Sequence, residues 1–142
     1  MNWTSDAAGG GFTTGKPFRP AADNMATQNV KAALAGPDSI LSFYKAMLAL
    51  RNSLLSSARG SYEHPVLDGS VMNYQRKFEG DHAVVVINYG STAATTNVAA
   101  LPAGAALVAA YPPGARTIVI DGNGLAQIRL DPQAVRVFSV RR

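Results

Sequence analysis

The sequence predicts a mainly β protein: an antiparallel β-sandwich that is preceded by an irregular segment and by one α-helix. Three observations support this prediction. Glycine and proline interrupt the chain repeatedly up to residue 36, one segment has clear helical periodicity, and the remainder consists of short apolar runs separated by turn residues. Runs of this length and spacing are typical of antiparallel sandwiches. We therefore divide the chain into residues 1–36, 37–58 and 59–142.

Residues 1–36 are predicted to form an irregular lead, because their breakers favour loops over regular structure. These breakers are Gly9, Gly10, Gly11, Gly15, Pro17, Pro20 and Gly36. A long segment without secondary structure is uncommon in a self-sufficient domain. We expect it to lie across a partner surface, with Trp3, Phe12 and Phe18 as its aromatic anchors.

Residues 37–58 are predicted to form one helix, because apolar residues recur at helical spacing. The repeating positions are Ile40, Tyr44, Met47, Leu48, Arg51, Leu54 and Leu55. Pro37 suits the first helical position, and Gly60 suits the end of the helix. Asp38 suits the first turn, where the helix dipole favours negative charge. Two interpretations stay open: a core helix with a buried apolar face, or a partner-binding helix whose apolar face is exposed.

Seven or eight short strands are expected from residue 59 onward. Their segments are 61–63, 71–78, 82–89, 95–99, 106–111, 117–120, 125–130 and 134–140. His64-Pro65 interrupts the first segment, and the glycine-rich residues 121–124 indicate a hairpin. Residues 82–89 are almost continuously apolar, which favours a central strand, and we expect Tyr74 and Tyr89 in the core or in cross-strand pairs.

The composition describes a globular protein of about one domain, with 142 residues, 47% hydrophobic and 15% charged. The net charge of +4 comes from scattered basic residues, so a nucleic-acid partner is not predicted. No apolar run approaches the roughly 20 residues that span a bilayer, so no membrane segment is predicted. The N-terminus has no signal-peptide pattern, and we expect a cytoplasmic location.

The search for catalytic residues finds none. Most acids lie in turns marked by glycine or proline, where hydrogen bonding and solvation explain them. Glu63 neighbours His64, but strand alternation places the two side chains on opposite faces. The two histidines, His64 and His82, have no ligand spacing and the chain has no cysteine, so neither a metal site nor a cofactor is predicted.

The order of several short motifs resembles a known family. The chain reads MNW, GGGFT, KPFRP, NV, PDSILSFYKAMLALRN, GSYE, VMNYQR and VVVINYG in that order. This resembles the C-terminal portion of the α-glucosidase branch of the α-amylase superfamily, glycoside hydrolase family 13, whose relatives include oligo-1,6-glucosidases. The resemblance covers essentially the whole sequence, and the helix motif is its most specific part.

The resemblance implies that residues 37–58 are the last helix of a (β/α)₈ barrel and that residues 59–142 are the sandwich called domain C. It implies a parent that acts on α-glucosides by a retaining mechanism, with its catalytic acids on barrel strands that precede Met1. Residues 1–3 would then border the sugar pocket, with a supporting role in substrate binding for Trp3. The missing barrel is the expected partner, and an exposed helix face is expected to permit self-association.

An alternative prediction is a stand-alone β module that binds carbohydrate or protein. Carbohydrate binding would need coplanar, exposed aromatic side chains. The candidates are Tyr62, Tyr74, Tyr89 and Tyr111. Saturable binding of maltose or isomaltose would favour this alternative over the structural domain.

Overall fold

The computed structural model describes residues 1–5 and 9–142. The chain forms two compact units, Met1–Ala49 and Leu50–Arg142, and the boundary between them falls within a helix. This boundary differs from the ends of the three predicted segments, and the three-part division remains a prediction. In the described part of the chain no helix is long and apolar enough to cross a membrane.

The predicted irregular lead contains a short helix, α1, over Val30–Ala35, so this part of the prediction is wrong. Asn29 starts the helix, because its side chain accepts a hydrogen bond from the backbone N–H of Ala32 at 2.9 Å. Asparagine is a favoured N-cap, since its oxygen satisfies an N–H that has no partner in the first turn. The helix has six residues, too few for apolar periodicity to reveal it.

The predicted helix over 37–58 is two helices, α2 (Ile40–Ser53) and α3 (Leu55–Arg59). Leu54 separates them in an extended backbone conformation, with φ −110° and ψ 108°. Its side chain is buried in a small apolar cluster together with Ala83, Val85 and Val137. The break lets this leucine pack on the sheet, which an uninterrupted helical pattern does not predict.

The start of α2 also differs from the prediction. Pro37 is not its first residue, and Asp38 does not lie in its first turn. Ser39 caps the helix instead, because Ser39 Oγ accepts a hydrogen bond from the backbone N–H of Ser42 at 3.1 Å. The same hydroxyl donates to the Ala33 carbonyl oxygen at 2.6 Å. A serine that satisfies two backbone groups outweighs the preference of proline for a first turn.

The rest of the chain is the predicted antiparallel β-sandwich, and the fold class is confirmed. Its strands in the described residues are β1 Ser61–Asp68, β2 Val71–Phe78, β3 Asp81–Asn88, β4 Ala94–Val98, β5 Ala106–Tyr111, β6 Ile118–Val119, β7 Ala126–Leu130 and β8 Val135–Arg141. One sheet has six strands in the order β1-β2-β3-β8-β5-β6, and the other pairs β4 with β7. The apolar run that predicted a central strand is β3, which lies inside the larger sheet between β2 and β8.

Strand β1 lies at one edge of the larger sheet and pairs only with β2 among the described strands. The pairing shifts register between Glu63 and Val66, so His64 and Pro65 form a bulge there. His64 has φ 48°, a conformation that favours glycine. The interruption predicted at these two residues is therefore present as a bulge within one strand.

The hairpin predicted for residues 121–124 is wrong. β6 pairs with β5 in the larger sheet, whereas β7 pairs with β4 in the smaller one. The segment does form a tight turn, since the Gly124 N–H donates to the Asp121 carbonyl at 3.1 Å. However, the Ile120 N–H donates to the Ala105 carbonyl at 2.9 Å, so the chain before the turn stays on the larger sheet. The turn thus joins two sheets, which the local turn residues do not distinguish from a hairpin.

The main core lies between the two sheets. Its largest members are buried apolar side chains from both of them: Val71, Val84, Val86, Val98, Leu107, Ile120, Ile128, Leu130 and Phe138. The buried face of β2 is partly polar, because Asn73 and Gln75 lie on it beside Val71. These amides must find partners inside the sandwich, since an unpaired buried polar group is costly.

Candidate functional site

The apolar face of helix α2 is exposed from Ile40 to Leu48. Ile40, Tyr44 and Leu48, one turn apart, are 77%, 61% and 58% exposed. α2 has no fully buried residue, so the core-helix interpretation is wrong for this helix and the predicted exposed face is observed. A row of large apolar side chains in water is the expected signature of an interaction surface.

This face borders a groove of about 520 Å³ within the first unit. Ile40, Leu41 and Tyr44 form one part of its lining, and Val30 and Ala33 of α1 contribute another. The groove is mainly apolar, so its contents would be held by burial of hydrocarbon and not by charge. The α2 face and this groove form the candidate interaction site, which we call the helix face.

Trp3 is held in place through its backbone. Its N–H donates to the Gly10 carbonyl at 2.6 Å, and its own carbonyl accepts from the Lys31 N–H at 2.9 Å. The Asn2 carbonyl accepts from the Val30 N–H at 3.0 Å, so residues 2 and 3 satisfy two unpaired N–H groups at the start of α1. Trp3 is 45% exposed. Its predicted supporting role in substrate binding stays a prediction.

The two other predicted aromatic anchors are exposed as well. Phe12 is largely exposed and Phe18 is 99% exposed. Phe12 lines a small cavity together with Arg19 and Pro20. In this chain the side chain of Phe18 is therefore not stabilised by burial. The role of Phe12 and Phe18 as anchors on a partner stays a prediction.

Several acids of the sandwich have structural partners. Asp81 Oδ2 accepts a hydrogen bond from the Ser56 backbone N–H at 2.8 Å, which caps α3. Asp121 Oδ1 accepts from the N–H groups of Asn123 and Leu125 in its own turn. Across residues 1–5 and 9–142, no three His, Asp or Glu side chains come close enough to hold a metal ion.

Glu63 lies beside Lys77, with 3.0 Å between Oε2 and Nζ. Hydrogen bonds from Ser61 and from Lys77 hold the pKa of the Glu63 carboxyl below its usual range. A carboxylate fixed in its charged form by two donors is a poor proton acceptor. The pair Glu63–His64, a weak general-base hint in the sequence, is therefore not a catalytic arrangement here.

His82 is buried at the start of β3. Its Nε2 lies 2.9 Å from Oε1 of Gln75, whose Nε2 donates to the Ala99 carbonyl at 2.7 Å. Because the Gln75 oxygen can only accept, His82 Nε2 carries the proton. Burial, assisted by the positive charge of Lys77, lowers the pKa of the imidazole from 6.5 to about 4. His82 is therefore neutral at ordinary pH.

We expect the sandwich to lose stability as the pH falls from about 7 to about 5, above the range where carboxylates titrate. Below pH 6.5 the unfolded histidine binds a proton that His82 in the folded chain resists until about pH 4. The unfolded state then binds more protons, so its free energy falls relative to the folded state. The slope is at most about 1.4 kcal/mol per pH unit. Urea unfolding at a series of pH values measures it.

One substitution tests this prediction. His82→Gln keeps a donor for Gln75 but does not titrate, so it should flatten the slope. An unaltered slope in H82Q would contradict the assignment to His82.

The four tyrosines proposed as a carbohydrate platform differ in exposure, and the one ring pair that they form is tilted and not coplanar. Tyr62 and Tyr74 form a cross-strand pair with ring centroids 4.8 Å apart and planes tilted by 38°, which confirms the pairing predicted for Tyr74. Tyr89 is 64% exposed, so its predicted place in the core is wrong. Tyr111 is half-buried and packs against the small cluster around Leu54.

Three buried amides were not predicted from the sequence. Asn73 Nδ2 lies 3.4 Å from the Thr96 hydroxyl of the other sheet, and Gln75 bonds His82 and Ala99. Asn88 makes four hydrogen bonds at the end of β3. In β2 the sequence does show amides at every second position, on the same face as Val71. The alternation alone does not indicate which face of the strand is buried.

Comparison with known proteins places these features in a family. The family model described as alpha amylase, catalytic domain, matches residues 1–58. An oligo-1,6-glucosidase of Parageobacillus thermoglucosidasius is 30% identical over 99% of this chain and 25% of its own length. A trehalose-6-phosphate hydrolase of Bacillus subtilis is 34% identical over 61% of this chain and 16% of its own length. The chain thus spans about a quarter or less of these curated relatives.

Solved structures also match almost the whole chain. The trehalulose synthase MutB from Pseudomonas mesoacidophila MX-45 superposes over 99% of this chain and 24% of its own, with a TM-score of 0.71 and 25% identity. A MutB variant in complex with the substrate sucrose matches equally well, with a TM-score of 0.71 over 99% of this chain. Sequence and structure matches both cover the helices and the sandwich together. The chain is therefore an α-glucosidase-like segment of the alpha-amylase family, glycoside hydrolase family 13.

Proposed function

We propose that this chain is the C-terminal portion of an α-glucosidase and that it supports a (β/α)₈ barrel that carries the catalytic acids. The observation behind this proposal is the helix face: Ile40, Tyr44 and Leu48 are exposed in a chain whose relatives are about four times longer. A barrel packed on that face would bury it. Each such side chain contributes roughly 1.5–3 kcal/mol when it is fully buried.

The proposed parent acts on α-glucosidic bonds by a retaining mechanism, in which two carboxyl groups flank the scissile bond. The acids of the sandwich that bind backbone N–H groups or Lys77 are committed to those contacts, so we assign this chain no catalytic residue. Trp3 is the one substrate contact that we propose, because the residue is nearly half exposed and hydrogen bonds hold both its backbone N–H and its carbonyl.

A chimera tests the proposal. The quarter of the Parageobacillus thermoglucosidasius oligo-1,6-glucosidase that aligns with this chain is replaced by residues 1–142, and hydrolysis of isomaltose is measured. We expect an active chimera and an inactive truncated relative that lacks this quarter. The 142-residue chain alone should release no glucose.

The helix face provides the specific variant. Leu48→Lys puts a charge into the proposed contact, so it should lower the activity or the yield of folded chimera by at least about tenfold. Lys45→Leu, which removes an exposed charge from the same helix, is the matched control and should change neither. A soluble, folded but inactive chimera, or an isolated chain that hydrolyses isomaltose, would contradict the proposal.

A further inference from the structure

The turn that joins the two sheets has the sequence Asp-Gly-Asn-Gly over residues 121–124. Asn123 is exposed in this turn, and no other asparagine of the sequence precedes a glycine. An asparagine before a glycine loses its side-chain amide more readily than before any other residue, because glycine has no side chain to hinder the reaction. The turn is therefore the place in the sandwich where spontaneous chemical modification is most favoured.

The reaction needs water and no other reagent. The backbone nitrogen of Gly124 loses its proton and attacks Cγ of Asn123, the bond from Cγ to the side-chain nitrogen breaks, and ammonia leaves. The five-membered imide that results then takes up one water molecule. Opening at one carbonyl gives aspartate, and opening at the other gives isoaspartate, in which the main chain runs through Cγ and is one carbon longer. Asparagine is accordingly one of the thermolabile residues of proteins.

The folded turn opposes this attack. The Gly124 N–H, the group that must react, donates to the Asp121 carbonyl at 3.1 Å. Asp121 Oδ1 accepts from the N–H groups of Asn123 and Leu125 at 2.9 and 2.8 Å. Modification thus requires local opening of the turn. Breaking three such bonds slows the reaction by roughly a hundredfold relative to an unstructured chain.

The isoaspartate product does not fit the same turn. The backbone of Gly124 has φ 74° and packs directly on Leu101, since a Cβ there would lie 2.5 Å from the Leu101 carbonyl oxygen. The Gly124 carbonyl accepts from the Leu101 N–H at 3.1 Å. On the other side, the Ile120 N–H is bonded to Ala105. An extra main-chain carbon in a connection that is fixed at both ends cannot preserve all of these bonds.

We propose that Asn123 is a deamidation site whose rate is controlled by opening of the turn at 121–124, and that its isoaspartate product weakens the connection between the two sheets. The modification would act as a slow, irreversible ageing reaction of the sandwich. The proposal concerns the second unit alone and does not rest on the proposed function.

Peptide mapping of the aged 142-residue chain tests the site. The folded chain is incubated in mildly alkaline buffer and digested with trypsin, and the peptide of residues 117–129 is examined for exchange of a carboxamide for a carboxyl group. We expect isoaspartate and aspartate at position 123, formed roughly a hundredfold more slowly than in the synthetic peptide 117–129. The peptide of residues 52–59, with the exposed Asn52 of α2, is the internal control and should stay unmodified.

Two substitutions test the control by the turn. Asp121→Ala removes the carboxylate that holds two N–H groups, so it should accelerate modification of Asn123 by about tenfold or more. The rate at Asn52 should not change, which distinguishes local opening from general unfolding. Gly122→Ala is the matched control, because a Cβ at this position meets nothing within 4 Å. It should leave the rate at Asn123 unchanged.

Two further variants test the effect of the product. Asn123→Gln cannot form the five-membered imide, so its resistance to urea should not decline with ageing. Asn123→Asp, measured fresh, adds the negative charge without the extra main-chain carbon and should unfold like the fresh wild-type chain. The isoaspartate fraction of the aged wild-type chain should have a folding equilibrium constant at least about tenfold lower.

Three results would overturn the proposal. One is an unmodified Asn123 in the aged folded chain under conditions that convert the synthetic peptide to completion and allow slow conversion to be detected. Another is an equal rate in D121A, G122A and the wild-type chain. The last is an isoaspartate form that resists urea as well as the fresh protein does. An inactive chimera would not bear on any of them, so this proposal and the proposed function can fail separately.

Discussion

Asn88→Ala should destabilise the sandwich by roughly 3–4 kcal/mol, about 1 kcal/mol for each of four lost hydrogen bonds. Asn88 is 1% exposed at the end of β3. Its Nδ2 donates to the carbonyls of Thr92 and Asp131, at 2.8 and 2.9 Å, and its Oδ1 accepts from Ser70 Oγ and from the Gly90 N–H, both at 2.9 Å. One side chain thus links the larger sheet to one end of the smaller one, where β4 begins and β7 ends.

Alanine would take this partner away from three backbone groups and from the Ser70 hydroxyl, and an unsatisfied buried group adds its own desolvation cost. Equilibrium unfolding in urea measures the effect. Asn97→Ala is the matched control, because Asn97 is exposed on β4 and its loss should cost no more than about 0.5 kcal/mol. A loss below about 1 kcal/mol for N88A would show that water replaces the four bonds.

Phe138→Ala is expected to cost about 3–5 kcal/mol, the range for removing a fully buried aromatic side chain. Phe138 is 0% exposed in the middle of β8. It lies opposite Val84 on one neighbouring strand and opposite Ala109 on the other. The small side chain at position 109 leaves the ring as the main filling of this part of the core, and the surrounding strands are too constrained to close the cavity.

Because a domain of this size has a total stability of about 5–15 kcal/mol, F138A should lower the midpoint of thermal unfolding by well over ten degrees. Phe18→Ala removes the same side chain from a site that is 99% exposed, and it should shift the midpoint by no more than about two degrees. Differential scanning calorimetry distinguishes the two. Equal effects would mean that the ring of Phe138 contributes little to the core.

The sequence predicted the parts of this fold that depend on local pattern. The interval 71–78 is strand β2 and the interval 106–111 is strand β5, because alternation and turn residues bound them clearly. The resemblance to glycoside hydrolase family 13 identified the helix and the sandwich together, and the relatives confirm it. The local sequence was sufficient to predict an element wherever residues that are close in the sequence are also close in space.

The wrong predictions concern segments whose structure is determined by contacts with residues far away in the sequence. Leu54 interrupts a good helical pattern because the side chains that bury it come from β3 and β8, about 30 and 80 residues away. The turn at 121–124 joins two sheets because Ile120 is bonded to Ala105. The pairing of β8 with β3 and β5 was not predicted for the same reason, since these strands are far apart in the sequence. Trp3, in contrast, was proposed from family resemblance alone.

The bulge at His64 and Pro65 has a consequence for the behaviour of the chain at high concentration. An open edge of a sheet presents unpaired N–H and C=O groups that can recruit the edge of another molecule and begin a fibril. Proline removes one of those donors, and the local bend breaks the straight line that a second strand would need. At the far side, β6 is two residues long, too short to act as a template. Both borders of the larger sheet are therefore protected against amyloid-like growth.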